Sequence, residues 1–264
     1  MSSEGRFTAF NGIVQIDLEV EATGALLIRG PDAFTADAPD MAFIRYPIDG
    51  AQVPFLPGSS LKGVLRSGAE ALLRSLGRQI CTNWQDRCLA CLTFGSTRGG
   101  AVVLVDDGLP WHPGASESER VSALEQIEAS RAVRTSVAID RQAGAVAAGP
   151  FDYEALVRVS FFPSLRLRNP APWQASVVAA ALGLLDDGLL RLGGMTSRGL
   201  GRVKIRCRAV EVVSLGGALA ELWDLAWPTE SAGPLLVRRR APDPGAAMTA
   251  WRANLQAWLP EVPA

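Results

Sequence analysis

The chain has 264 residues, 48% hydrophobic and 20% charged, with 26 basic against 27 acidic side chains and a formal net charge of −1. Its longest apolar runs fall far short of the ~20 residues that a membrane helix requires, which excludes a transmembrane helix and leaves an ordinary globular composition. A net charge near zero also excludes a uniformly basic nucleic-acid binder, so any phosphate contact must come from local clusters of Lys and Arg.

One domain spanning residues 1–264, with insertions, is expected at this length. Met1-Ser2-Ser3-Glu4-Gly5-Arg6 lacks the basic start and apolar core of a secretory signal. A cytoplasmic location follows as an expectation, with the cysteines as reduced thiols or metal ligands. Charge is unevenly placed. Arg198, Arg202, Lys204, Arg206 and Arg208 follow one another without an acid, whereas Asp17 to Asp40 holds six acids against Arg29 alone. This predicts one basic face and one acidic face.

In chain order, Val14, Ile16, Leu18 and Val20 alternate with Gln15, Asp17, Glu19 and Glu21, the period of a strand with one buried face. Residues 26–57 are punctuated by Gly and Pro and read as long loops with short extended pieces. Leu61, Val64, Leu65, Ala69, Leu72, Leu73 and Leu76 mark an amphipathic helix capped by a serine. A cysteine segment at 81–91 comes next, then a strand at 101–105 and a helix over 117–131. A hairpin or arm is expected from Arg134 to Phe151, and a strand over 155–162. A second long helix runs from Pro172, where proline is tolerated, to Leu190 and is broken by Gly193-Gly194. A strand spans 202–213, and residues 216–264, rich in Trp and Pro, form an extension of unassigned role, whose tryptophans read more readily as core than as partner anchors. Strand, helix, strand followed by strand, helix, strand is the order of an α+β, ferredoxin-like or RNA-recognition-type fold: an antiparallel sheet with two helices on one face.

Three segments carry chemistry. Gly58-Ser59-Ser60 with Lys62 and Arg66 would put free N–H groups, hydroxyls and cations at a helix start, where a phosphate can bind; the serines read equally well as a cap. Gly193-Gly194-Met195-Thr196-Ser197-Arg198-Gly199-Leu200-Gly201-Arg202 offers backbone that can approach a ligand closely. It leads into a strand with Arg202, Lys204, Arg206 and Arg208 on one face, for which a solvated charged face is the plain alternative. Cys81-x6-Cys88-x2-Cys91 has the C-x-x-C half of a structural zinc site plus a third thiol. His112, the sole histidine, is the candidate fourth ligand, because Cys207 falls on the inward side of its strand; water or no metal are the alternatives.

Four segments, Pro57 to Arg66, Cys88-Leu89-Ala90-Cys91-Leu92-Thr93-Phe94-Gly95-Ser96, Arg134-Thr135-Ser136-Val137-Ala138-Ile139-Asp140-Arg141, and Gly193-Gly194 through Arg202, together resemble the RAMP superfamily, in particular the backbone subunit of type III CRISPR effector complexes. The resemblance implies a modified RNA-recognition-type sheet with a thumb-like hairpin, here residues 131–152, and a cysteine-containing insertion at 81–91. It implies guide RNA and complementary target RNA as partners, together with stacked copies or homologous subunits and other CRISPR effector proteins. RNA contacts would come from Ser59, Ser60, Lys62, Arg66, Arg134, Arg141, Gly194, Ser197, Arg198, Gly199 and Arg202. Target-cutting members carry an aspartate in the loop before the Pro-Gly-Ser-Ser-Leu-Lys-Gly segment; Asp40 falls at that position and Asp37 is its rival, with Mg²⁺ as the expected cation. The implied activity is a metal-dependent endoribonuclease. A non-catalytic RNA-binding scaffold is the first alternative, and a histidine-dependent nuclease processing precursor RNA is the second. Each copy would offer an acidic face to a neighbour's basic one, head to tail.

Overall fold

The computed structural model describes residues 8–30, 39–82, 88–140, 142, 144–224, 226–231 and 235–260. In chain order the elements are β1 (Gly12–Ala22), β2 (Ala25–Leu26), β3 (Arg45–Ile48), β4 (Ala51–Pro54), α1 (Gly58–Ser75), α2 (Leu89–Phe94), β5 (Val103–Val105), α3 (Glu117–Ala129), β6 (Arg131–Ile139), β7 (Val146–Val157), β8 (Ser160–Phe161), β9 (Ser164–Arg168), α4 (Pro172–Asp186), β10 (Val203–Leu215), β11 (Thr229–Ser231), β12 (Leu236–Arg240), α5 (Pro244–Ala253) and α6 (Leu255–Trp258).

The alternation of β1 does what period two requires. Val14, Ile16, Leu18 and Val20 are buried, and β1 becomes the centre of the main sheet, ordered β11-β12-β10-β1-β9-β5. Every pairing in that sheet is antiparallel. Taken alone, β1, α1, β5, β9, α4 and β10 form the βαββαβ unit of a ferredoxin-like α+β fold, with α1 and α4 packed side by side. Leu61, Leu65, Ala69 and Leu73 of α1 and Val177, Val178, Ala181 and Leu185 of α4 join the β1 face in one core. Because α4 touches α1, β10 and α5, it is apolar nearly all round, as a helix enclosed on several sides must be.

Several local details depart from expectation. The serine cap of α1 is not used: Pro57 is the N-cap, without a side-chain hydrogen bond, and Ser59 and Ser60 lie inside the first turn. α4 stops at Asp186 rather than Leu190. Gly188 is in the left-handed region, and the Leu189 N–H reaches the Leu184 carbonyl at 3.0 Å while Gly188 N–H reaches Leu185, a glycine-terminated helix end. The strand expected at 155–162 is the end of β7 and the separate β8, divided at Arg158, whose φ is 57°. β9 is an additional strand, absent from the sequence reading; its five residues alternate in burial between Pro163 and Asn169-Pro170.

On β10 the inward parity changes partway. Asp17 faces Ala209 but Leu18 faces Cys207, so Arg208 is the extra residue of a β-bulge. The buried set therefore passes from Val203 to Val210 and Val212. The C-terminal extension completes the sheet through β12 and covers α4 with α5. Trp227 and Trp251 are buried in the main core, with Trp223 and Trp258 packed against it. Among the described residues no helix is long and apolar enough to cross a membrane.

Candidate nucleic-acid interface

Outside the main sheet, β2, β7 and β6 form a three-stranded sheet whose long arm is the β6–β7 hairpin. The segment carrying Asp40 is tied to the base of this arm. Met41 N–H donates to the Asp152 carbonyl (3.1 Å) and Glu154 N–H to the Met41 carbonyl (2.9 Å), and the Asp152 N–H donates to Asp40 Oδ2 at 2.8 Å. Asp152 Oδ1 is buried and has no hydrogen-bond partner. Asp37 and Arg141 lie outside the described residues.

The anchor of this junction is Glu154, 1% exposed. Its carboxylate accepts from the Phe43 N–H at 3.0 Å and from Arg45 Nη1 at 2.9 Å, pairs with Arg45 Nη2, and meets Arg131 Nε at 2.8 Å. Burial alone would raise its pKa, but the Arg45 guanidinium, the Phe43 amide and the Arg131 charge hold it below the usual carboxylate range. No local signal marks Glu154, Asp152, Arg45 or Arg131: Arg131 meets Glu154 across the β6–β7 hairpin, and the other contacts join residues more than 100 apart in the chain.

The glycine-rich loop docks beside the same junction. Gly194 N–H donates to Leu27 (2.8 Å), Gly201 N–H to Ala25 (2.9 Å) and Leu192 N–H to Gly201 (2.9 Å). Gly193 and Gly201 have φ of +81° and +82°, and a Cβ on either would overlap a backbone carbonyl oxygen, of Leu27 and Leu192 respectively. Glycine is required there for docking. The turn of 3-10 helix at Thr196–Arg198 leaves Ser197, Arg198 and Gly199 exposed, and Arg202 is exposed as well. Leu27, Tyr153 and Leu200 form a small apolar cluster with Met41 and Met195 packed on it. That cluster joins the Asp40 segment, the hairpin and the glycine loop. Arg134, exposed on β6, lies in register with Tyr153.

The start of α1 differs from its expected form. The Gly58 and Ser60 amides are engaged within the chain. Gly58 N–H donates to Asp107 Oδ1 at 2.6 Å, and Ser60 and Leu61 N–H turn back to the Pro57 carbonyl. Asp107 also accepts from Tyr46 Oη at 2.7 Å, so a carboxylate of the chain itself sits where a phosphate was expected. Arg66 is likewise occupied, by Glu70 Oε1 (2.9 Å), the Gly95 carbonyl (2.7 Å) and Cys91 Sγ (3.3 Å). Lys62 has its pKa lowered by burial and by the neighbouring Arg66 charge, a condition that an incoming anion would relieve.

Cys81, Cys88 and Cys91 converge, with Cys81 Sγ 3.4 Å from Cys88 Sγ and 3.3 Å from Cys91 Sγ. A tetrahedral ion with Zn–S near ~2.3 Å holds its sulfurs about 3.8 Å apart, so the three thiols need to open only slightly to ligate one. Burial and the two neighbouring sulfurs push the Cys91 thiol up to about 12, a tendency that a bound divalent ion reverses by holding thiolates. His112 is not the fourth ligand. The cluster that could hold a metal comprises the three cysteines alone among the described residues, while His112 Nδ1 accepts from Gly114 N–H, its ring meets Phe162 edge-on, and its Nε2 lies 4.0 Å from Glu119. His112 follows β5 in the chain, in the segment that leads to α3. Cys207, half-buried as its alternation predicted, has its thiol pushed up to about 12 by burial.

Among the described residues the expected separation into a basic and an acidic face is not found. β1 and β10 are neighbours, so their outward side chains share one surface: Glu19 Oε2 pairs with Arg206 (2.8 Å) and Arg208 (3.4 Å). Asp17 accepts from Ser164 Oγ at 2.6 Å and from Gln15 at 3.0 Å.

The chain's sequence matches the family model described as the RAMP superfamily over residues 29–204, more than half its length. No curated protein matches it.

Proposed function

From the premise that this chain belongs to the RAMP superfamily, we propose that it is a guide-RNA-binding backbone subunit of a type III CRISPR ribonucleoprotein and that Asp40 cuts the target RNA paired to the guide. The superfamily is one of CRISPR-associated RNA-binding subunits, with CRISPR RNA and other CRISPR-associated proteins as partners. The carrying observation is that Asp40, the hairpin base and the exposed turn of the glycine loop are held together by one apolar cluster.

In this reading residues 131–152 are a thumb that separates target nucleotides, and Arg134, Ser197, Arg198, Gly199 and Arg202 hold the backbone alongside. Ser59, Ser60 and Lys62 contribute from α1, whereas Arg66, with its three nitrogens engaged, supports the cysteine insertion at 81–91 instead. Base pairing selects sequence, and the protein reads phosphates and unstacked bases. The Asp40 carboxylate orients the 2′-hydroxyl of the nucleotide before the cut and takes its proton. The 2′-oxygen bonds to phosphorus, the P–O5′ bond breaks, and the 5′-oxygen leaves as a hydroxyl after protonation by water, giving a cyclic phosphate.

A Mg²⁺ ion fits the residues present. Such ions are held by one or two carboxylates plus water and phosphate oxygens, and Asp152 Oδ1 is a buried oxygen without a partner next to Asp40. Asp40 and Asp152 would hold it, and its chemistry would be neutralisation of charge on the scissile phosphate. The scaffold reading rests on a different observation: Asp40 Oδ2 already accepts a backbone N–H, which is sufficient as a purely structural role. The processing-nuclease reading gains nothing, since His112 is engaged by Gly114, Phe162 and Glu119.

The deciding assay incubates the guide-loaded complex with labelled complementary RNA, with and without Mg²⁺. Asp40→Ala should lower the cutting rate by about 10²–10⁴-fold while target affinity stays within twofold, roughly. Unchanged cutting in that variant removes Asp40 from the mechanism; binding with no cutting by the wild type makes the chain a scaffold.

A further inference from the structure

The C-terminal extension, beyond the residues matched to the family, forms an open cavity of ≈ 680 Å³ between the 3-10 turn at Ala220–Leu222 and α5. Four indoles line it, those of Trp223, Trp227, Trp251 and Trp258. Trp251 is fixed at 3% exposure with its Nε1–H on the Leu222 carbonyl at 3.2 Å, so that wall is built by packing and hydrogen bonding. Three acids, Glu221, Asp224 and Asp243, complete the lining, and among the described residues it includes neither lysine nor arginine.

We infer that this cavity is a docking site for a cationic side chain, an arginine or lysine, presented by an exposed segment of another protein subunit. The charge carries the choice. Indole faces attract cations through their quadrupole, and a carboxylate rim adds Coulomb attraction. The same rim repels phosphate, so the cavity is no extension of the RNA surface even though tryptophan stacks on bases. The chain makes one such contact itself at the edge of the cavity, where the Arg239 guanidinium lies 5.5 Å from the Trp223 ring centroid. Two of the acids have one oxygen engaged in holding the backbone, Asp224 with Ala226 N–H and Asp243 with Ala246 N–H; each keeps a charge to offer. A cavity of this size falls in the ~300–1,000 Å³ range of ligand sites and takes a long side chain together with its flanking backbone.

The test uses the full chain with ¹⁵N-labelled indoles, titrated with N-acetylarginine methylamide and with its neutral analogue, N-acetylcitrulline methylamide. The four cavity indoles should shift saturably with the arginine probe, about tenfold more tightly than with citrulline, and Trp111 and Trp173 should not respond. The triple variant Glu221→Gln, Asp224→Asn, Asp243→Asn, whose amide oxygens still accept the two backbone bonds, should lose this response. Should the triple variant not fold, Glu221→Gln by itself should weaken the response severalfold, roughly. In the ribonucleoprotein purified through a tag on this chain, the variant should release one protein companion and keep its RNA. Equal binding of the two probes, an unaltered response in the variants, loss of RNA in place of protein, or loss only of self-association would each overturn the inference. None of these outcomes depends on whether Asp40 cuts RNA.

Discussion

Glu154 is the side chain on which the candidate site is hung. It holds strand β7 to the Phe43 amide, to Arg45 at the start of β3 and to Arg131 at the start of β6, so the Asp40 segment and the hairpin are tied together. Removing one member of a buried ionic cluster leaves uncompensated charge, and Glu154→Gln should cost about 3 kcal/mol in chemical denaturation. The pH dependence has a definite sign. The folded pKa of Glu154 is depressed, so its contribution is complete above the unfolded carboxylate range and is lost as pH falls through the lower folded value. The wild type should therefore weaken on acidification along a limb that the Gln variant lacks, and superimposable acid limbs would show that another group is responsible.

Elements, rather than single residues, decide how the loops present themselves. The glycine loop is docked by its backbone on Leu27 and Ala25, and Gly201→Ala, adding a Cβ against the Leu192 carbonyl at positive φ, should cost about 1–3 kcal/mol. Gly217→Ala, with nothing within 4 Å, serves as the near-neutral control. The cysteine insertion is the second such element. Purified protein should carry about one zinc ion, and chelation or Cys88→Ser should remove it and lower the melting temperature, because ligands that fold around an ion make its binding energy part of the folding energy. Rapid reaction of all three thiols with a disulfide reagent in metal-free protein, with no change in melting temperature on adding zinc, would show free cysteines instead.

Across the whole molecule, charge is arranged differently from its order in the sequence. The acids of β1 and the cations of β10 cancel on a shared surface, which leaves the exposed Arg198 and Arg202, with no salt bridge among the described residues, as the natural phosphate contacts. Replacing either by alanine should reduce the slope of log affinity against log salt by about 0.7, the value for one phosphate contact on a single strand; an unchanged slope would exclude that residue. Stacking of copies remains part of the proposed function, but its contacts cannot be an acidic β1 face meeting a basic β10 face.

The alternation of β1, the apolar spacing of α1, the hairpin arm and the three-cysteine cluster were legible in the chain because each is set by residues within a few positions of one another. From them the α+β order and the family resemblance followed. Tertiary structure alone decided that Asp107 occupies the start of α1, that Arg66 turns inward, that His112 and the cysteines lie apart, and that Glu154 and Asp152 meet the Asp40 segment. Each of these depends on which elements become neighbours, and the one-residue bulge that reverses parity along β10 is likewise set by its pairing with β1. Such choices are made by closure of the sheet and shared burial over separations far longer than any local period.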